Sequence, residues 1–350
     1  TVFGGISWLS VVVAPDTNDG AYTIQAKLRA RGERLRLETL LAAPSGTVIW
    51  TDKSNGSLED SFEWQDEVVE RIAGTAIDTI LETETMALAR VPEQALEPEQ
   101  CLLMGMMAWK TFSNESFGKA TGFHARAIAA KPELVDAYAE AIIVVCAART
   151  MGPDATMRKY MAEMPAWGEA ARPVSNGHAG LMLAVAIADY LDNQRIAQLN
   201  QVVSQELRMA PFDARLLSFC GWAYLWGGDA QTSLDCFEKS IRLGKLGPFV
   251  VASHGGAATA ATHLNMPQKA LAHCEAGLKM SDDYPTLYST KSAALALSGD
   301  LENAKKTMAL YRKLLPDRTL RYWKETNNYG ASEGGKRYFD ALRAAGLPEG

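Results

Sequence analysis

The sequence predicts an α+β chain: a small α/β domain over residues 1–92, an all-α superhelical solenoid over 93–335, and a C-terminal capping helix over 336–350. Three observations carry this. Apolar and polar residues alternate on either side of a glycine turn between Tyr22 and Ala42, as in a half-buried hairpin. At Leu58 the apolar spacing changes from two to three or four. Beyond Gln100 no strand pattern recurs, and helical segments repeat instead at steps of roughly 34 residues, the period of a two-helix repeat.

In chain order, Trp8–Ala14 is rich in β-branched residues and reads as a buried strand. Val2–Pro15 lacks the basic start of a signal peptide. Tyr22–Ala30 and Arg34–Ala42 are paired strands, with Arg31-Gly32-Glu33 as the turn. Leu35, Leu37 and Thr39 point to one face and Arg34, Arg36 and Glu38 to the other, so one sheet face is solvated. Pro44-Ser45-Gly46 turns the chain into a third strand, Thr47–Thr51, ending at Trp50. Leu58, Phe62, Gln65, Val69, Ile72, Ala76 and Ile80 then form the stripe of a long helix to about Ala89, with a break expected near Gly74. Ser57 and Asp60 have capping-box spacing, and the stripe is expected to cover one sheet face. Pro92 and Pro98 bracket the junction to the solenoid.

Four repeat frames align on small packing residues: Ala120, Ala127 and Pro132; Ser233, Phe237 and Ser240; Ala270, Cys274 and Gly277; Ala304, Met308 and Pro316. The step is 37 residues from Ser233 to Ala270 and 34 from Ala270 to Ala304. The interval of 113 from Ala120 to Ser233 leaves room for two further units. This is the tetratricopeptide (TPR) period. A small residue such as Gly221 admits the second helix, and an aromatic such as Tyr224 or Phe237 fills the space between neighbours. Gly227-Gly228-Asp229, Asn265-Met266-Pro267 and Ser298-Gly299-Asp300 are the turns within units. Met151–His178, with Gly152, Pro153, Pro165 and Pro173, predicts a longer loop and a distorted unit.

Net charge is −6, and residues 1–92 carry all of it, with 14 acids against 8 bases; the remainder has 27 of each. Neither part has the basic stripe that duplex binding needs. No apolar run approaches the ~18 residues of a membrane span. Cys101, Cys146, Cys220, Cys236 and Cys274 are odd in number and widely spaced on apolar stripes, which points to buried thiols in a reducing, cytoplasmic setting.

Catalytic patterns are lacking. His124, His178, His254, His263 and His273 have no metal-ligand spacing. There is no phosphate loop, and His254-Gly255-Gly256 has no accompanying nucleophile elbow. Glu63, Asp66, Glu67 and Glu70 read as the solvated face of the long helix, near its positive N-terminus. No catalytic, cofactor or metal residue is therefore predicted. In the frame set by Gly221, the first-helix residues Arg215, Ser218, Trp222 and Trp226 face the concave groove; in the frame of Gly105, Trp109 and Phe112 do. Trp and Arg are frequent binding anchors, so these six are the candidate partner-binding residues; the alternative is that the rings pack against the neighbouring hairpin. No paired Lys or Arg suggests capture of a peptide carboxylate.

Gly32, Arg34, Leu35, Arg36, Gly46, Trp50, Leu58, Asp60, Phe62, Gln65, Asp66 and Glu67 together resemble the TolB-like N-terminal domain of bacterial signalling proteins. The repeats and the ending from Arg337 through Tyr338-Phe339-Asp340 to Gly346-Leu347-Pro348-Glu349 resemble the same family, in which such a region follows a class III adenylate/guanylate cyclase domain or a winged-helix DNA-binding domain. The resemblance runs from Tyr22 onward. The family's first strand and helices are expected before Phe3, and a helical segment between Pro15 and Tyr22, so the α/β domain is expected to be incomplete at its N-terminus. The resemblance implies a non-catalytic regulatory module, with a protein, peptide or second copy as partner, coupled to a cyclase-type effector. The alternatives are the sensor part of a winged-helix regulator, a small-molecule sensor, or an unrecognised enzyme. The tail is expected to cap the last repeat after a hinge over Thr326–Gly335. Deleting Lys336–Gly350 should lower solubility and melting temperature; unchanged values on both would remove the capping role.

Overall fold

The computed structural model describes residues 20–59, 61–109, 111–150, 152–175, 177–209, 212–244, 249–326 and 329–350. The strand expected at Trp8–Ala14 and the capping residue Asp60 lie outside them. Strands β1 (Thr23–Arg31), β2 (Arg34–Ala42) and β3 (Val48–Ser57) form an antiparallel sheet in the order β1-β2-β3. Of the turn pair Gly32-Glu33 only Gly32 has positive φ, +59°, as a tight hairpin of right-handed twist requires. Leu35, Thr39 and Leu41 are buried on one face while Arg34 and Arg36 are exposed, so the expected alternation is present. β3 runs to Ser57, well beyond Thr51, because it pairs with β2 as far as Arg34; backbone pairing, not apolar content, sets its length.

Helix α1 (Ser61–Leu88) lies on this sheet. Leu41, Ala76 and Ile80 form the contact with Tyr22, Ile49 and Trp50 around them. Arg71 donates to Asp52 at 2.9 Å, and the Tyr22 hydroxyl donates to Glu84 at 2.7 Å. Several expectations change. Ser57 belongs to β3, and its hydroxyl accepts from the Glu59 N–H, so it does not cap α1. Phe62 is 83% exposed and Leu58 50%; the buried line starts at Val68, since the helix first meets the sheet where the Trp64 ring lies against Gly56. The helix is also continuous through Gly74. That glycine serves close packing: a Cβ there would sit 1.5 Å from the Leu243 carbonyl oxygen. Nor is Glu70 part of a solvated face, because it pairs with Lys239 at 3.1 Å and Arg242 at 3.8 Å.

The remaining helices form consecutive antiparallel pairs: α2 (Pro98–Ala108) with α3 (Asn114–Ala130), α4 (Val135–Thr150) with α5 (Ala155–Ala171), and α6 (Ala179–Asn193) with α7 (Ile196–Met209). Then come α8 (Ala214–Trp226) with α9 (Ala230–Leu243), α10 (Phe249–His263) with α11 (Pro267–Leu278), and α12 (Pro285–Leu297) with α13 (Leu301–Leu314). A short α14 (Leu320–Thr326), a 3-10 turn at Tyr329–Ala331 and α15 (Glu333–Ala344) complete the chain. Pro92 precedes a 3-10 turn and Pro98 opens α2, whose first turn needs no donor at that position. The two units expected between Ala120 and Ser233 are α4–α5 and α6–α7. Met151–His178 is not a long loop: α5 runs through Pro165, capped by Asp154 and held by buried Met157, Met164 and Trp167. No helix among the described residues is long and apolar enough to cross a membrane.

Glycines set the spacing between helices. A Cβ at Gly221 on α8 would lie 2.8 Å from the Phe237 ring, and one at Gly256 on α10 only 2.1 Å from it. Gly105 stands in the same relation to the His124 ring, at 2.2 Å. The frame residues Ala120, Ala127, Ser233, Phe237, Ala270, Cys274 and Ala304 are all fully buried. The five cysteines are buried and unpaired. Gly74→Val should force α1 away from α9 and cost about 1–3 kcal/mol or more, as overpacking does. Thermal denaturation measures this; a melting temperature unchanged from the parent would show that α1 and α9 do not pack as described.

Candidate functional site

The inner helices of successive hairpins converge on one apolar cavity. Ile143 and Cys146 reach it from α4, Ile187 and Leu191 from α6, Trp222 and Trp226 from α8, and Phe249 from α10. The superhelix is wound tightly enough for its first hairpin to meet the junction of its fifth and sixth. The Ser281 hydroxyl, between α11 and α12, donates to the Thr111 carbonyl between α2 and α3 at 3.2 Å. Phe112 packs on Tyr284 with ring centroids 4.8 Å apart, and Trp109 meets Phe249 edge-on at 5.0 Å.

Five of the six residues chosen from the sequence, Trp109, Phe112, Ser218, Trp222 and Trp226, line this cavity. Trp109 is 1% exposed, Phe112 4% and Ser218 0%, while Trp222 and Trp226 are half-buried. Phe112 holds a left-handed φ of +53°, which turns the chain after α2. Trp226 stacks on Tyr190 at 5.0 Å. Ser218 accepts from Ser253 at 3.0 Å, and Ser253 in turn bonds Ser240 at 2.9 Å, a hydroxyl chain linking α8, α9 and α10.

Arg215 lies apart from the other five. It bonds Glu140 on α4 and pairs with Asp213 at 3.6 Å, in a polar pocket that also holds Asp136 and His178, which are 3.3 Å apart. Burial pushes the Glu140 carboxyl up to about 7 despite the attraction of Arg215. Burial also opposes the charge on Arg215, but Glu140, Asp213 and Asp136 outweigh it and raise its pKa further. A guanidinium held this way ties α8 to α4; it is not a free anchor for a partner.

The C-terminal segment forms one side of the cavity. Trp323, Tyr329 and Tyr338 complete its lining. α15 packs on α12, in the last hairpin, and on α10, both inner helices. The capping helix expected from Lys336 starts at Glu333, with Ser332 accepting from Gly335 N–H. Gly334 and Gly335 are packing positions rather than hinge: a Cβ would lie 2.7 Å from the His263 carbonyl and 1.5 Å from the Tyr329 carbonyl respectively. The Leu320 and Arg321 N–H groups donate to Pro348 and Glu349 at 2.8 and 2.9 Å, clasping the tail to α14. Ile143, Phe219, Phe249, Tyr284, Trp323 and Tyr329 escaped the sequence reading. Tyr338 lay in the quoted ending, but nothing in its spacing gave it a role here.

No protein-family model matches this chain, and no curated protein sequence does. Solved structures are similar in fold. The human IFIT1 dimer with PPP-AAAA superposes with a TM-score of 0.50 at 11% identity, over 83% of this chain and 74% of that one. The APC/C hetero-tetramer Cut9–Hcn1 gives 0.49 at 14% identity, over 78% of this chain. The chain spans about half of that protein, 47%. A tetratricopeptide repeat protein from Parabacteroides merdae gives 0.40 at 12% identity, over 82% of this chain and 97% of that one. The fold is thus a TPR-like helical solenoid with a small three-stranded antiparallel sheet at its N-terminal side.

His263 sits beneath the tail, with ring centroids 5.1 Å from Tyr329 and 5.5 Å from Tyr338. Burial, with Arg337 nearby, holds its pKa down to about 3, and burial does the same for His124. Unfolded imidazoles titrate near 6.5, so below that pH the unfolded chain takes up protons the native chain refuses. The stability these histidines contribute is complete above pH 6.5 and is lost as pH falls towards 3. At pH 5 the loss is about 2 kcal/mol for each. Glu140 opposes this between about 4.5 and 7, but as a single group. The melting temperature should therefore fall from pH 7 to pH 5, and less steeply in His263→Gln. A flat parent profile would contradict the burial of these rings.

Proposed function

We propose that this chain is a non-catalytic regulatory and protein-interaction module of a bacterial signalling protein, whose concave face takes a segment of a partner protein in place of its own C-terminal segment. The observation that carries this reading is the position of α15, an amphipathic helix laid on α10 and α12 with Tyr338, Phe339 and Leu342 buried beneath it. A helix seated in an apolar groove is a common recognition mode, and here the occupant belongs to the chain itself. The fold supports the same reading, since TPR-like solenoids present extended concave surfaces.

On this reading the α/β part is the TolB-like element and couples partner binding to an adenylate cyclase-type effector outside this chain. Two features support such coupling. α1 packs on β3, α2 and α9, so movement of the solenoid is transmitted to the sheet. The inner face of edge strand β1 is left open, with Leu28 59% and Ile24 37% exposed. Among the described residues the cavity lining has no Lys or Arg, which does not suit a phosphate-bearing ligand such as nucleic acid.

A reversible lock tests the reading. A Cβ built at Gly228, in the α8–α9 turn, lies 3.4 Å from the Ser332 Cβ, close to the separation a disulfide needs. Gly228 has φ +87°, so a side chain there costs about 1–3 kcal/mol. In the double variant Gly228→Cys/Ser332→Cys, oxidation should pin the tail. Partners captured from a bacterial lysate by the reduced chain should then be lost, and regained on reduction. Equal capture in both states would place the partner surface elsewhere; no partner in either would count against an interaction module.

A further inference from the structure

The geometry points to a small-molecule site inside the solenoid: the cavity between Trp109, Trp222, Phe249 and Tyr329 takes one neutral, aromatic-sized molecule carrying a hydrogen-bond acceptor. The inference does not depend on the partner reading above, because it concerns the cavity that persists when the tail is in place.

Four observations carry it. The first is space. The cavity holds about 100 Å³. Protein interiors are otherwise close-packed, with few voids larger than a water molecule. An engineered apolar cavity of about 150 Å³ in another protein stays dry and binds benzene. The second is lining. Rings from α8, α10 and the tail are joined by Ile143, Ile187 and Leu191, and among the described residues no acidic or basic side chain lines the space. A charged ligand would lose its hydration there without a counter-ion, so the occupant is neutral.

The third observation is an unmet donor. Trp109 lines the cavity and is 1% exposed, yet its indole N–H has no acceptor among the described residues. Buried indole N–H groups usually find a partner, and leaving one without is costly. Several other polar groups at the wall are engaged: Ser218 with Ser253, Thr259 with Thr290 at 2.9 Å, and Tyr338 with Thr290 at 3.3 Å. The indole N–H is itself buried, so a ligand reaches it only when the Trp109 ring turns; being a donor, it then calls for an acceptor such as a carbonyl oxygen. The fourth observation is a shared lining. Trp323, Tyr329 and Tyr338 belong to the C-terminal segment, and Ile187 and Trp222 to the solenoid, so a molecule inside touches both. It therefore binds the closed arrangement better than any open one and favours closure.

Titration calorimetry on the full chain with two probes of similar shape, acetophenone and cumene, tests this; only the ketone has an acceptor. Expected are one-to-one binding of acetophenone and a loss of about tenfold in its affinity in Trp109→Phe, with cumene affinity unchanged by that substitution. Ala252→Leu, which fills the cavity from α10, should abolish binding of both, with circular dichroism confirming that each variant is folded. No saturable acetophenone binding to the parent would overturn the site. So would full affinity in folded Ala252→Leu, which would place the probe elsewhere. Equal loss for both probes in Trp109→Phe would overturn the assignment of the indole N–H as donor.

Discussion

The seating of Phe237 is the contact on which the rest of the solenoid depends. Its ring is fully buried between α8 and α10, and both helices offer it a glycine, Gly221 and Gly256. No side chain fits where either Cβ would stand. The ring therefore fixes how near α9 lies to α8 and how near the following hairpin lies to both. Burying such a ring contributes about 1.5–3 kcal/mol, but its geometric effect is larger. With Gly105 against His124 and Gly255 against Tyr284, the same device recurs along the chain and draws the inner helices together. The outcome is a superhelix tight enough for the loop after α2 to touch the loop before α12.

That tight winding creates the central problem of the molecule. Inner helices carrying Trp109, Trp222, Trp226 and Phe249 would expose a continuous aromatic surface if left open, and exposed patches of that kind mark interaction sites or aggregation hazards. The C-terminal segment solves it. Tyr329, Tyr338, Phe339 and Leu342 bury themselves against α10 and α12, and the chain's last residues clasp α14. The cover is incomplete, and a cavity remains. Partner binding and ligand binding thus concern one surface in two states, uncovered or covered.

The sheet and α1 act at the other side. Gly74 against the Leu243 carbonyl and Glu70 between Lys239 and Arg242 join α1 firmly to α9. The α/β part is thereby fastened to the middle of the solenoid as well as to its first hairpin. Inside, Arg215 with Glu140 ties α8 to α4 across the interior. A buried pair of this kind contributes little net stability, yet removal of one partner leaves an uncompensated charge, which makes the register of these helices strict.

Local pattern determined much of this protein from the sequence alone. The hairpin around Gly32, the long helix after β3, the two-helix period and the buried frame residues Ala120, Phe237, Ala270 and Ala304 all follow from periodicity and turn chemistry, which act between neighbours in the chain. The same reasoning selected Trp109, Phe112, Ser218, Trp222 and Trp226 as inward-facing. Tertiary structure alone decided that these five meet around one space, that Arg215 is used internally by Glu140, and that α15 lies across the inner helices α10 and α12. It also decided that Gly74, Gly334 and Gly335 are close contacts, where spacing suggested a break and a hinge. The physical reason is the same in each case. Propensity and period specify which face of a helix is apolar, but how far a superhelix winds, and what covers its inner face, is settled by contacts between residues as distant in the chain as Thr111 and Ser281.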